Sequence, residues 1–342
     1  MDKDGTRNIG LDILKCICAF FVILIHCKRL PGIPGIVLTA LNRTSVAIFF
    51  MITGFFYQRT VDRGRVKDQI CKTLKLTCWA SMFYFVFNGV LAIATGSTFH
   101  EYIKSYINLK KAVKFLFLCD SPFQGHLWYL SAILYVLIGI FLFEKKWSRQ
   151  KLYGLIPVLM IGYLVLGKYS KLILGRELPM TLVRNELFVG LLFFLLGDYL
   201  YQKKDGFVSS LTEKKIFLAV ITIILVITSI LESRYLAERG LTTGIERGIS
   251  ISLLVPVLFI FFMKISREGG VLRLFAQIGR KHSTMIYIIH PALLSLLGIL
   301  LQERSEGIIF RWITPVAVFM ASYGCSILFE KVNNRTFAKK KY

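Results

Sequence analysis

Residues 10–27 read GLDILKCICAFFVILIHC, an apolar run that carries Asp12, Lys15 and His26 within it. A run of this length is a transmembrane candidate, because a helix satisfies its own backbone polar groups and lipid accepts its apolar side chains. Ionisable side chains in such a segment are costly in hydrocarbon. Lys15 and His26 are eleven residues apart, about three turns and about 16 Å along the axis, so they share a face. Asp12 lies one turn before Lys15 and can neutralise it. The stripe runs from the inner end of the helix to its outer half and can line a passage into a bundle. The alternative is an interfacial Asp–Lys pair, with Lys15 snorkelling and His26 in the outer headgroups.

Further apolar runs lie at 42–58, 73–95, 126–144, 152–168, 185–202, 215–232, 248–264, 283–301 and 310–330. With the first, at 9–28, they predict an all-α, polytopic integral membrane bundle of about ten transmembrane helices. The second and fifth are short enough to be tilted or partly re-entrant. Composition agrees: 55% of the 342 residues are hydrophobic and only 18% charged, with a mean hydropathy of +0.61. A soluble domain of this size needs more polar surface. A net charge of +23 would suggest nucleic acid in a soluble chain. Here the cations sit in short loops beside apolar runs, so they read as insertion signals that also attract anionic lipid headgroups, and no nucleic-acid partner is expected.

With the N-terminus inside, the cytoplasmic segments are 58–72, 144–151, 203–215, 264–282 and the tail from Glu330, which include RTVDRGRVK, EKKWSRQK and FAKKKY. The outer segments ESRYLAERG and QERSEG balance their cations with acids, so both termini are expected in the cytoplasm. The longest outer loop, 96–125, contains YINLKKAVKFLFL, which has the pattern of an interfacial amphipathic helix. The seven cysteines show no metal-ligand spacing and read as small apolar residues. No cleavable signal, repeat or linker is evident. A single domain over 1–342 with no appended soluble domain is expected.

Other residues that can carry chemistry lie on or beside the spans. Thr53 and Gly54 in SVAIFFMITGFFYQR (45–59) suit close helix packing. Lys72 and Lys75, one turn apart at the start of the third span, can bind phosphates or serve only topology. QGHLWYLSAILY (124–135) opens the fourth span, and its His126 and Trp128 fit an interface belt or an acceptor platform. VRNELFVGLLFFLLGDYL (183–200) pairs Arg184 with Glu186 by proximity and carries Asp198 near its inner end. In GRKHSTMIYIIHPALL (279–294), Ser283, Tyr287 and His290 fall at i, i+4 and i+7 on one face, while His282 at the boundary reads as solvated.

Together the stretches GLDILKCICAFFVILIH, SVAIFFMITGFFY, HLWYL, RNELFVGLLFFLLGDYL and STMIYIIHP resemble the acyltransferase-3 family of bacterial membrane acyltransferases, in family order over nearly the whole chain. The family's first-helix signature is a basic residue, ten residues and then histidine, matched by Lys15 and His26. The resemblance implies that His26 is the essential histidine, as base or as transient acyl carrier, and that Lys15 helps to hold acyl-CoA. Where the family carries two arginines separated by two residues, this chain has Lys72 and Lys75, which keep the charge without the planar fork.

The expected activity is transfer of an acyl group, in the first instance acetyl, from cytoplasmic acyl-CoA to a hydroxyl of an envelope or exported polysaccharide, in the bacterial cytoplasmic membrane. Acyl-CoA is a donor substrate and no cofactor or metal is held permanently. His126, Trp128, Tyr287 and His290 are candidates to meet the acceptor. Two other readings fit the same residues. One is a small-molecule transporter, since the membrane half of vancomycin-resistance serine racemases shares this fold. The other is a non-catalytic partner in glycan export.

Overall fold

The computed structural model of the chain describes residues 8–106, 108–241, 248–265, 269–301 and 307–339. Residues 1–7, 107, 242–247, 266–268, 302–306 and 340–342 lie outside them, and with them parts of the segments QERSEG and FAKKKY. No strand occurs among the described residues. In chain order the α-helices are α1 (Ile9–His26), α2 (Gly32–Asn42), α3 (Ser45–Asp62), α4 (Val66–Ala94), α5 (Phe99–Tyr106), α6 (Leu109–Leu118), α7 (Trp128–Phe143), α8 (Arg149–Tyr153) and α9 (Leu155–Leu166). They continue with α10 (Ser170–Leu174), α11 (Leu192–Gln202), α12 (Ser209–Glu213), α13 (Lys215–Glu238), α14 (Ile249–Met263), α15 (Gly270–Lys281), α16 (Ser283–Leu301) and α17 (Ile308–Lys339).

Among the described residues, seven stretches are long and apolar enough to cross a membrane: Ile9–His26, Gly32–Asp62, Val66–Ala94, Gly125–Phe143, Lys215–Glu238, Ser283–Leu301 and Ile308–Val332. The other three expected spans are helical but shorter or interrupted. The run at 152–168 divides beside Gly154, leaving α9 with 12 residues. The run at 248–264 forms the 15-residue α14 around Pro256. The run at 185–202 starts as a π-helical turn, Glu186–Leu191, before α11. Asn185 sets that start: its side-chain oxygen accepts from the amides of Leu187 and Phe188 at 3.0 Å each, while its carbonyl accepts from Gly190 at 3.1 Å. Loop 96–125 holds α5 and α6, and α6 leaves Leu109, Val113, Leu116 and Phe117 exposed, as an amphipathic helix does. The long helices also turn apolar side chains outward, such as Met82, Val86 and Val90 on α4, a surface suited to lipid.

The chain divides into two compact units: Met1–Phe49, Ser209–Leu231 and Ser250–Tyr342 form the first, and Phe50–Val208 with Glu232–Ile249 the second. In the first, α1 packs against α2, α15, α16 and α17. Cys16, Ala19 and Ile23 of α1 meet Ile278, Ile286 and Val318 in one buried cluster. Two glycines decide how closely α1 is held. A Cβ on Gly10 would overlap the carbonyl oxygen of Phe262 in α14, and one on Gly279 of α15 would overlap the carbonyl oxygen of Asp12. Such backbone contact is what small residues permit where no hydrophobic force drives helices together. Asn8 closes the end of α1: its Oδ1 accepts from the Leu11 amide at 2.9 Å, and its Nδ2 donates to the Met263 carbonyl at 2.9 Å.

In the second unit the same device is used twice at one crossing. A Cβ on Gly54 would overlap the Phe194 carbonyl oxygen, and one on Gly197 would overlap that of Met51. The packing expected for Gly54 is therefore present, with α11 as its partner. Tyr57 and Phe194 meet edge to face beside it, ring centroids 5.2 Å apart.

Inserting side-chain volume at the α1–α15 crossing must move backbone. Gly279→Val is expected to cost about 3 kcal/mol, the upper part of the range for overpacking. Gly298→Val, where a Cβ meets open space, should leave stability nearly unchanged. Thermal unfolding of the detergent-solubilised protein checks the pair, and equal melting shifts would remove the close crossing as a stabilising feature.

Candidate active site

His26 is the last residue of α1 and is exposed. Its ring lies beside that of His290 from α16, with centroids 5.3 Å apart and planes inclined by 42°. His290 has no solvent exposure. Its Nδ1 is 3.1 Å from the carbonyl oxygen of Ile286, one turn earlier. A carbonyl only accepts, so this bond assigns the ring hydrogen to Nδ1 and leaves the lone pair on Nε2. Pro291 follows directly and has no N–H to give the Tyr287 carbonyl. The Tyr287 side chain is buried, with its ring centroid 6.1 Å from that of His290.

The expected stripe on α16 is thus turned inward, but its members differ. Tyr287 and His290 accompany His26, whereas the Ser283 hydroxyl donates to the Gly279 carbonyl at 2.6 Å. Lys15, at the other end of the α1 stripe, has its Nζ 3.5 Å from Asp12 Oδ1, in a pair with only 24% and 8% of its side chains exposed. This pair sits next to the Asp12 carbonyl pressed by Gly279, so the same contact fixes the backbone that carries both charges. His282 departs from expectation. It is buried, its Nδ1 lies 2.9 Å from Ser326 Oγ, and its Nε2 lies 3.8 Å from Glu330. Burial holds its basicity below that of a free imidazole. The packing of α16 on α17 encloses it.

The second unit assembles His126 and Trp128. His126 lies in a 3₁₀ turn, Gly125–Leu127, at the entry to α7, buried, with its ring 5.1 Å from that of Tyr84. Trp128 opens α7, also buried, against Phe50 at 6.1 Å. The Arg184 guanidinium lies over the Trp128 ring at 5.6 Å, a cation–π seat. The expected Arg184–Glu186 ion pair is not formed: Glu186 instead accepts from Cys119 Sγ at 3.1 Å. Lys72 and Lys75 are exposed on α4 in this unit.

A family model described as an acyltransferase domain matches residues 8–331. The chain belongs to the acyltransferase-3 family. No curated protein and no solved structure matches it. In this acyltransferase-3 chain the match takes in Lys15 and His26 as well as Tyr287 and His290.

One polar cluster of this acyltransferase-3 protein escaped the sequence reading. Arg149, placed in a loop of topological charge, binds two carboxylates. Its Nη2 lies 2.8 Å from Glu144 Oε1 and its Nη1 lies 3.4 Å from Asp198 Oδ1. Tyr153 donates to Asp198 at 2.7 Å and Tyr57 to Glu144 at 3.2 Å. Gln58 accepts from both Arg149 and Gln202. The cluster ties α3, α8 and α11 to Glu144, the C-cap of α7. Asp198 gave the available signal, because a carboxylate inside an apolar span needs a donor; what could not be read was which cation answers it.

Arg149→Leu leaves Asp198, with its side chain 4% exposed, beside no cation from this cluster. Its expected cost is about 3–5 kcal/mol, as for a buried pair broken from one side. The double variant Arg149→Leu/Asp198→Asn should regain most of the loss. Unfolding midpoints of the three proteins in detergent check this, and a single variant as stable as the parent contradicts it.

Proposed function

We propose that this protein is a membrane-bound O-acyltransferase that moves an acetyl group from cytoplasmic acetyl-CoA to a hydroxyl of a cell-envelope or exported polysaccharide. The reading includes ten spans as one domain in the cytoplasmic membrane of a bacterium, with both termini in the cytoplasm. The observation that carries it is a solvent-reachable histidine, His26, set beside a buried one in a chain of the acyltransferase-3 family.

In this reaction the acceptor oxygen attacks the thioester carbonyl carbon while His26 takes the hydroxyl proton. The O–C bond forms, the C–S bond breaks, and His26 returns the proton to the departing thiolate sulfur. An imidazolium is therefore made transiently at the C-terminal end of α1, where the helix dipole favours a cation. Lys15, Lys72 and Lys75 are the cations assigned to the donor's phosphates; as lysines they act as point charges without the bidentate fork of arginine. His126 and Trp128 are assigned to the acceptor, and Tyr287 and His290 to the surroundings of His26.

The test uses purified protein, acetyl-CoA labelled in the acetyl group, and a panel of glycan acceptors. Label should pass to an acceptor hydroxyl, and His26→Ala should lower the rate about 10²–10⁴-fold, the usual worth of a positioned acid–base group. Label trapped on wild-type protein in acid-quenched samples would replace the base role by an acyl-histidine. Transfer undiminished in His26→Ala overturns the assignment. Uptake of labelled serine without acyl-CoA would favour a transporter.

A further inference from the structure

Two segments read as cytoplasmic, 58–72 and 203–215, each deliver a cation to one aromatic ring in the second unit. The Arg59 guanidinium lies 5.5 Å from the ring centroid of Tyr201 and 5.0 Å from that of Phe56. Lys204 Nζ lies 3.8 Å from the same Tyr201 centroid. All three side chains, Arg59, Tyr201 and Lys204, are half-buried, and Arg59 Nη1 is buried with no hydrogen-bond partner. We infer that Arg59 and Lys204, gathered on Tyr201, form a phosphomonoester site that takes the terminal 3′-phosphate of the acyl-CoA donor. This deepens the donor reading under the proposed function and rests on it.

The close crossing of α3 on α11 builds the site. One turn beyond Gly54 and Gly197, which let the two backbones touch, α3 presents Gln58 and Arg59 while α11 presents Tyr201 and Gln202. Gln202 Nε2 donates to Gln58 Oε1 at 3.3 Å. Phe55 meets the Tyr201 ring edge to face, centroids 5.3 Å apart. The ring that collects the cations is thus held from α3, and Lys204 follows the end of α11 by two residues.

Like charges drawn to one ring repel each other, and the aromatic face offsets only part of that. The nearby carboxylates are engaged elsewhere: Glu144 and Asp198 hold Arg149, and Asp62 accepts from Gln58. Among the described residues, no carboxylate forms an ion pair with Arg59 or Lys204. Orienting the chain in a membrane needs only cations in the loops. It does not need a guanidinium half-buried on two rings with donor capacity left unanswered, which calls for a counter-ion. The donor offers two kinds of phosphate. Its diphosphate is internal to the molecule and carries about one charge per phosphorus, whereas its 3′-phosphomonoester is terminal and carries close to two. A pair of cations on one ring matches the terminal dianion, and a group at the end of the donor needs only one open side to enter. The exposed Lys72 and Lys75 of α4 remain for the diphosphate.

The experiment isolates the 3′-phosphate from the rest of the donor. Full-length protein in detergent is assayed with acetyl-CoA and with acetyl-3′-dephospho-CoA, and its binding of adenosine 3′,5′-bisphosphate and of AMP is measured without turnover. Wild type should show a KM about 10²-fold higher for the dephospho donor, the scale of charge-assisted hydrogen bonds lost to one group, with kcat nearly unchanged. In Arg59→Gln/Lys204→Gln the KM for acetyl-CoA should rise until the two donors differ by about twofold or less. Arg59→Lys, which keeps the charge without the planar fork, should lose about threefold of the preference. Lys203→Gln, which removes an exposed neighbouring cation, should change neither KM. Lys204→Gln alone should cut the preference about tenfold, and it decides the matter if melting shows the double variant unfolded. Wild type blind to the 3′-phosphate, or a folded double variant that keeps the preference, overturns the inference. A double variant that keeps the preference but loses stabilisation by added phosphatidylglycerol assigns the cations to a lipid headgroup and overturns it too. Wild type that transfers acetyl from neither donor overturns the acyl-transfer reading instead. Tighter binding of adenosine 3′,5′-bisphosphate than of AMP, lost in Lys204→Gln, then still decides the phosphate site.

Discussion

The backbone-to-backbone seating of α1 governs what the rest of the first unit can do. Gly10 against Phe262 and Gly279 against Asp12 leave no room for the helix to roll about its axis. A roll of one residue position is about 100°, enough to carry Lys15 and His26 from one neighbour to another. Held as it is, α1 places Cys16, Ala19 and Ile23 in the apolar cluster and His26 against α16. The Asn8 cap adds a further hold at the same end, by tying the first turn to the last carbonyl of α14.

Charge within the apolar segments is handled by pairing. An isolated lysine or aspartate at the middle of a membrane helix costs about 3 kcal/mol. Lys15 answers Asp12 within one turn of the same helix, so that pair survives whatever the neighbours do. Asp198 is answered by Arg149 from another helix, so that pair exists only when α8 and α11 are correctly packed. The first pair is a local property of a sequence; the second reports tertiary structure. This difference also explains why the two were unequally visible.

What could be read from the chain were features with short period. The apolar runs, the three-turn interval from Lys15 to His26, and the inward stripe of Tyr287 and His290 all follow from helical repeat. Gly54 was recognisable as a packing residue. What could not be read were partners on different helices far apart in the chain: His26 with His290, Arg149 with Asp198, and His282 with Ser326. Arg184 failed for a related reason. Proximity in sequence favoured Glu186, but the Trp128 face and the Cys119 thiol offered each of them a different partner. Two of the three shortened spans had local causes, at Gly154 and Asn185, whose effects on helix length are not visible in hydropathy.

The α16 segment joins these two scales. Ser283, Tyr287 and His290 are set on one face by sequence spacing alone, yet they end in different chemistry. Ser283 turns its hydroxyl back to Gly279, whose missing side chain is what lets α15 touch α1. His290 turns its Nδ1 back to Ile286. Both polar groups are therefore anchored to backbone that precedes them, one at the crossing that seats α1 and the other at the ring that α1 delivers. The orientation of the ring beside His26 is in this sense set by backbone geometry on a different helix, with the α1 crossing holding the two parts in register.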